Sequence, residues 1–321
     1  MTNGLSYKSK QFFFVLIKLG IVAFAFYFIY VKLMENDHLS FYDFKSILNK
    51  SKVFSLKNIS FLLLLTIFNW FFEILKWQKL TSIITQISFL KSMEQSLGSL
   101  TASLFTPNRI GEYGAKAIYF PKDFRKKIML LNLIGNMAQM SITIVLGILG
   151  LITFNFLYNP EIYLFRLLAF IGILLTLLVF SIFIWRNNKL EIKGFSLSKI
   201  KYFLEQISPK IKFQILMLST LRYLVFSYQF FFLMSLFEIE LGYLESMSII
   251  SSMYILSSVI PSIFIFDVVV KSGVAVYLFS FVGVDEIIVL SITTLMWLFN
   301  FVLPSILGSY HVLNFNPRTE G

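Results

Sequence analysis

The chain has 321 residues, 57% of them hydrophobic and only 14% charged, with a formal net charge of +11. A soluble domain of this size needs far more polar surface, so composition excludes one. Cysteine is absent, which excludes a disulfide framework, a CxxC metal site and a thiol nucleophile.

Six apolar runs, Phe12–Val31, Ile59–Trp77, Ile128–Phe154, Leu164–Trp185, Phe213–Phe237 and Ile287–Tyr310, approach or exceed the roughly 20 residues of a spanning helix. The expected fold is an all-α polytopic membrane protein with about six spanning helices. A β-barrel would show short alternating segments instead. The first run follows Lys8 and Lys10 and lacks a small-residue cleavage site, so it reads as a span and not a signal peptide. Lys32–Lys57 carries five lysines, with Phe41, Phe44, Ile47 and Leu48 at helical spacing, as in a surface amphipathic helix. The basic segments are residues 8–10, 122–127 and 186–212, which predicts cytoplasmic N- and C-termini. The same bias explains the net charge without nucleic acid.

Two further segments, Phe89–Phe120 and Leu244–Phe281, each begin as a moderately apolar helix that meets a proline, Pro107 or Pro261. Ser92 to Thr106 is about 22 Å of helix, short of the hydrocarbon thickness. Both segments read as re-entrant hairpins, walled by protein or a wet cavity where the backbone breaks. They align without gaps at an offset of 154: "KSMEQSLGSLTASLFTP" lies over "ESMSIISSMYILSSVIP", with Ser92/Ser246, Met93/Met247, Ser103/Ser257 and Pro107/Pro261 identical. Glu112 precedes Lys116 by four residues, and Asp267 precedes Lys271 by four, the favourable order for a helical ion pair. Three spans separate equivalent points, so the repeat is inverted and the hairpins are opposed. We place the first repeat at residues 58–186 and the second at 212–310 of a single membrane domain, residues 1–321. Such repeats with broken helices recur among secondary transporters.

An unpaired charge at the bilayer centre carries a penalty of roughly 2.5–3.5 kcal/mol. With both lysines paired locally, Arg109 is the surplus cation, and its fork suits phosphate or carboxylate. Gly111 and Gly114 allow close approach of backbone or headgroup. Asn132, Asn136 and Gln139 form a polar stripe on the third span, either for interhelical hydrogen bonding or as a cavity wall. Glu73 and Lys76, beside Trp77, read as an interfacial anchor. His38 and His311 are the only histidines, and no HExxH, GxSxG, P-loop or GxGxxG occurs. No metal, cofactor or catalytic residue is expected. Glu35 and Asp37 could serve an enzyme, as an external acid pair after the first span.

"LFTPNRIGEYGAKAIYF" resembles the proline–arginine–glycine–glutamate motif of the lysylphosphatidylglycerol synthase transmembrane-region family, which includes the flippase half of the bacterial multiple peptide resistance factor. "EILKWQKL" resembles its basic-Trp pattern, and "VIPSIFIFDVVVKSGVAVYLFSFVGV" is similar to its second element. The resemblance covers about residues 10–310. It implies a flippase-like protein of a bacterial inner membrane that binds or translocates a phospholipid or lipid-linked intermediate. Pro107, Arg109, Gly111 and Glu112 carry over. Ala115 stands where the family has arginine, Lys116 follows it, and Asn132 and Asn136 replace an acid-rich motif. These altered charges put an aminoacylated substrate in doubt. No soluble aminoacyl-transferase domain is found in the 321 residues, so lysyl-lipid synthesis is not expected here and would belong to a separate lipid-modifying enzyme. The binding set expected is Arg109, Glu112, Lys116, Asp267 and Lys271. The alternatives are a membrane-embedded lipid-modifying enzyme and a non-catalytic scaffold.

Overall fold

A computed structural model describes residues 51–104, 106, 109–159, 191–192, 195–259 and 264–315. Four helices are long and apolar enough to cross a membrane: α1 (Leu56–Thr81), α4 (Arg125–Tyr158), α6 (Pro209–Leu236), and the last span, Glu286–Asn314. The last span is built of α9 (Glu286–Trp297), a π-helical turn (Leu298–Val302) and α10 (Leu303–Asn314). The protein is therefore a polytopic α-helical membrane protein. The expected spans at Phe12–Val31 and Leu164–Trp185 lie outside the described residues, as do the surface helix expected before residue 51 and residues 186–190 and 193–194 of the basic segment.

Each described span outruns its apolar core because local signals set its ends. Ser55 caps α1 by accepting from the Asn58 amide. Ser208 caps α6, whose first residue is Pro209, where a missing N–H loses nothing. Asp285 caps α9 through the Ile287 amide. The 34-residue α4 is about 51 Å long, well beyond the hydrocarbon thickness of about 30 Å. It ends at Asn159, in the left-handed conformation with φ 39°.

The two proline-marked segments form pairs of short helices. The first pair is α2 (Phe89–Ala102) with α3 (Gly111–Ala117), and the second is α7 (Tyr243–Val259) with α8 (Phe264–Ser280). At 14 and 17 residues, α2 and α7 reach about 21 and 25 Å, short of a full crossing. Pro107 and Pro261 fall in the undescribed gaps. A ten-residue helix, α5 (Leu197–Gln206), follows a two-residue ladder of β1 (Glu191–Ile192) and β2 (Phe195–Ser196).

The helix pairing is reciprocal. α1 packs on α6, α2 on α10 of the last span, and α7 on α4. α3 lies against α4, and α8 against α9. One apolar core gathers Phe230, Leu233, Ile249, Ile250, Leu278 and Phe279 around α6 to α9. A second gathers Trp77, Leu80, Ala117, Phe120, Ile128 and Leu131 around α1, α3 and α4. Large apolar side chains also face outward, among them Ile67 on α1, Met137 and Leu149 on α4, and Phe213 on α6. Such a surface suits lipid and not water.

Small residues bring the reciprocal pairs together, as association without a hydrophobic drive requires. A Cβ on Gly308 would run into the Leu97 carbonyl and the Thr101 hydroxyl of α2. Across the other pair, a Cβ on Gly150 would lie 2.7 Å from Ser251 Cβ and 3.0 Å from the Ser248 carbonyl of α7. Gly308→Ala is expected to lower stability by about 1–3 kcal/mol, since backbone must move aside. Gly114→Ala is its control: the added Cβ meets nothing within 4 Å, and the change should be neutral or stabilising by up to about 1 kcal/mol. Unfolding in mixed micelles measures both. Equal effects of the two would refute the packing argument.

Candidate functional site

Thr66, Asn69, Glu73 and Lys76 recur at three- and four-residue spacing, so they form one inward stripe on α1. All four are buried. Glu73 and Lys76 therefore do not form an interfacial anchor: neighbouring helices enclose them. Lys76 Nζ lies 2.7 Å from Glu73 Oε2, and Arg222 of α6 places a guanidinium nitrogen 2.6 Å from the same oxygen. Arg222 Nε donates to Asn69 Oδ1 at 3.1 Å. Two arms of one planar fork thus bridge two α1 residues a turn apart, a geometry lysine cannot reproduce.

From Asn69 the network enters the last span. Asn69 Nδ2 donates to Asn300 Oδ1 at 2.8 Å, and Asn300 Nδ2 donates to Gln229 Oε1 at 2.7 Å. Gln229 donates in turn to Thr66 Oγ1 and the Leu62 carbonyl. Asn300 sits in the π turn, and its carbonyl accepts from Trp70 Nε1 at 3.0 Å. A π turn at a functional position is a recurring device.

A second charged group surrounds Glu112 on α3. Lys116 Nζ is 2.7 Å from Glu112 Oε1, the i,i+4 pair that the spacing predicts. Arg109 holds the other oxygen at 2.7 Å. Arg109 is thus not a surplus cation, and Glu112 already carries two. Lys116 is fully buried: it donates to Asn132 Oδ1 at 2.8 Å and lies 4.2 Å from the Trp77 ring centroid. Trp77 Nε1 donates to Gln95 Oε1 of α2 at 2.8 Å, tying the two groups of elements together.

Arg109 has φ 57°, the left-handed region that non-glycine residues rarely enter. Thr106 holds it there. The Thr106 carbonyl accepts from the Arg109 amide, and its hydroxyl accepts from the Gly111 amide at 2.9 Å. A Cβ on Gly111 would come within 2.8 Å of Thr106 Cγ2, so this glycine serves the turn itself. Gly114 has open space around it.

Between the groups lie two adjoining cavities, of about 410 Å³ and 200 Å³. Arg109, Arg222 and Lys271 line both. Of the expected polar stripe, Asn136 and Gln139 line the larger cavity, while Asn132 faces Lys116 instead. Of the expected binding set, Arg109 and Lys271 reach the cavities, and Glu112 and Lys116 stand behind them as a buried pair. Asp267 and Lys271 share helix α8, but the Asp267 side chain is outside the described residues.

Sequence reading missed Arg222 altogether, although it is a lone arginine inside an apolar run, which marks function by default. It also took Glu73 and Lys76 for an anchor and not for part of a polar stripe on α1, and it missed Thr66 and Asn300. A larger cavity of this volume is within the usual range for ligand sites, and its cationic border suits an anion.

No curated protein matches the chain at a significant level. The family model described as the lysylphosphatidylglycerol synthase TM region matches residues 15–308. That match spans nearly the whole length, over the helices that build the cationic cavities, and the chain belongs to this family.

Proposed function

We propose that this protein is a flippase-like membrane protein that binds or translocates a phospholipid or lipid-linked headgroup between leaflets. The observation that carries the reading is the larger cavity, bordered by Arg109, Arg222 and Lys271 inside a bundle whose outer faces are apolar. A headgroup could pass through such a polar chamber while its acyl chains stay in lipid. The buried Glu73–Lys76 and Glu112–Lys116 pairs hold the two arginines in place from behind. Membership of a family whose name is tied to lysylphosphatidylglycerol synthesis supports a link to lipid.

The reciprocal pairing of α2 with α10 and of α7 with α4 supports the reading of two inverted repeats. Each of α2 and α7 rests on the spanning helix that follows the other hairpin. The basic segments support a reading with both termini on the cytoplasmic side of a bacterial inner membrane. The protein itself transports and does not catalyse, and a separate lipid-modifying enzyme would supply or consume its lipid.

Purified protein reconstituted into liposomes with a fluorescent phospholipid in both leaflets provides the test. Addition of the impermeant reductant dithionite should bleach inner-leaflet label in protein-containing vesicles. Bleaching that stops at the outer-leaflet fraction, with folded protein present, would remove the flippase reading.

A further inference from the structure

Asn69, Arg109, Arg222, Phe226, Tyr254 and Lys271 line both cavities and form their common border. Three of these residues come from different parts of the fold. Arg109 stands just before α3 in the first pair of short helices, Tyr254 lies on α7 in the second pair, and Arg222 lies on the span α6.

Tyr254 is 8% exposed, and its hydroxyl has no hydrogen-bond partner. Its ring is held independently of the hydroxyl: it meets the Tyr223 ring edge-on at 5.9 Å and the Phe226 ring at 5.2 Å between centroids. A buried hydroxyl left unpaired is unfavourable and calls for an explanation. Arg109 repeats the feature on the same border. One of its terminal nitrogens holds Glu112, while Nε is buried without a partner. Arg222 commits Nε to Asn69 and one terminal nitrogen to Glu73, which leaves its other terminal nitrogen for a ligand. A guanidinium only donates, and a phenol beside two of them is best satisfied by donating too. What the border lacks is an acceptor. Water would satisfy these groups singly, whereas an anion with several oxygens satisfies them together. Glu73 and Glu112 each face a lysine as well, so neither by itself cancels the charge of its arginine.

We infer that Tyr254 is a ligand-binding residue whose hydroxyl donates, together with Arg109 Nε and Arg222, to a single phosphate group. A tetrahedral phosphate presents oxygens in several directions, which suits donors arriving from three elements better than a planar carboxylate does. The inference rests on the lipid reading above for the source of that phosphate, since free phosphate shares the chemistry. A phosphate so held ties the first pair of short helices to the second. Tyr254→Phe separates this role from packing, because it keeps the ring contacts and removes only the unpaired hydroxyl.

Native mass spectrometry of the full chain in detergent tests this, with phosphatidylglycerol, the matching diacylglycerol and inorganic phosphate as probes. Tyr254→Phe should weaken phosphatidylglycerol binding about tenfold or more, the loss of one hydrogen bond to a charged group. Diacylglycerol, which has no phosphate, should bind both proteins alike. The unfolding midpoint of ligand-free Tyr254→Phe should equal or exceed that of wild type, since the hydroxyl has no partner to lose. Tyr277→Phe is the control: Tyr277 is half-exposed on α8 and lines neither cavity, so neither binding nor midpoint should change. Equal phosphatidylglycerol affinity in Tyr254→Phe and wild type would mean that water completes the hydroxyl, which overturns the inference and leaves the lipid reading standing. A lowered midpoint, or an equal loss of diacylglycerol, makes Tyr254 a structural residue and overturns it too. If wild type binds no lipid, the lipid reading goes. The site then stands only if inorganic phosphate binds and is weakened about tenfold by Tyr254→Phe, and is overturned otherwise.

Discussion

Glu73→Ala should destabilise the protein by about 3–5 kcal/mol, the range for removing one partner of a buried ion pair. Lys76 is only 2% exposed, and its ammonium would be left enclosed beside the Arg222 guanidinium with their shared carboxylate gone. The loss comes from the stranded cation more than from the missing attraction. Glu73→Leu combined with Lys76→Met should therefore recover most of it, because a well-packed apolar pair is often as stable as the ion pair it replaces. Arg222, 22% exposed, can turn into the cavity in the double variant. Unfolding by detergent titration in mixed micelles gives both values. A single variant within about 1 kcal/mol of wild type would show that the pair is hydrated and the enclosure wrong.

Transport should respond most sharply to Arg222. Arg222→Gln removes a cation from both cavities and breaks the fork over Asn69 and Glu73. Truncation of a buried, hydrogen-bonded charge typically costs about 2–5 kcal/mol of the interaction it serves, so initial rates should fall well over tenfold. Arg222→Lys restores the charge but not the two-armed contact, and should fall between. The dithionite assay reads all three, with unfolding curves as the check on folding. Wild-type rates in a folded Arg222→Gln protein would take the headgroup out of this cavity.

The four described spans were legible because each is a long apolar run, which needs no partner to be recognised. Their ends were less so: Ser55 and Ser208 extend α1 and α6 beyond the apolar residues that mark them. The Glu112–Lys116 pair was legible from spacing alone, since both residues sit on one short helix. The i,i+3 contact of Arg109 with Glu112 was open to the same logic. It was obscured by the proline next door, which made the start of the helix uncertain from sequence. Glu73 and Lys76 were misread for a different reason. Closeness to a helix end suggests an interface, but α2 and α6 enclose that end, and no local signal reports tertiary enclosure. Asn300 was invisible in the same way. Its partners, Asn69, Trp70 and Gln229, lie more than 70 residues away along the chain.

The π turn at Leu298–Val302 also fixes the length of the last span. A helix rotates by about 100° per residue, and a π turn absorbs one additional residue without passing that rotation on. Excising a single residue there should restore a plain α-helix and leave everything beyond it in register, whereas the same excision within α9 swings the rest of the span by about 100°. Ser305, Gly308 and Ser309, which face α2, keep their seam in the first case; in the second a bulky neighbour such as Leu307 is presented to a helix that tolerates only glycine. Apolar content is almost the same after either excision. Where a residue is removed therefore matters more in this span than which apolar residue it is.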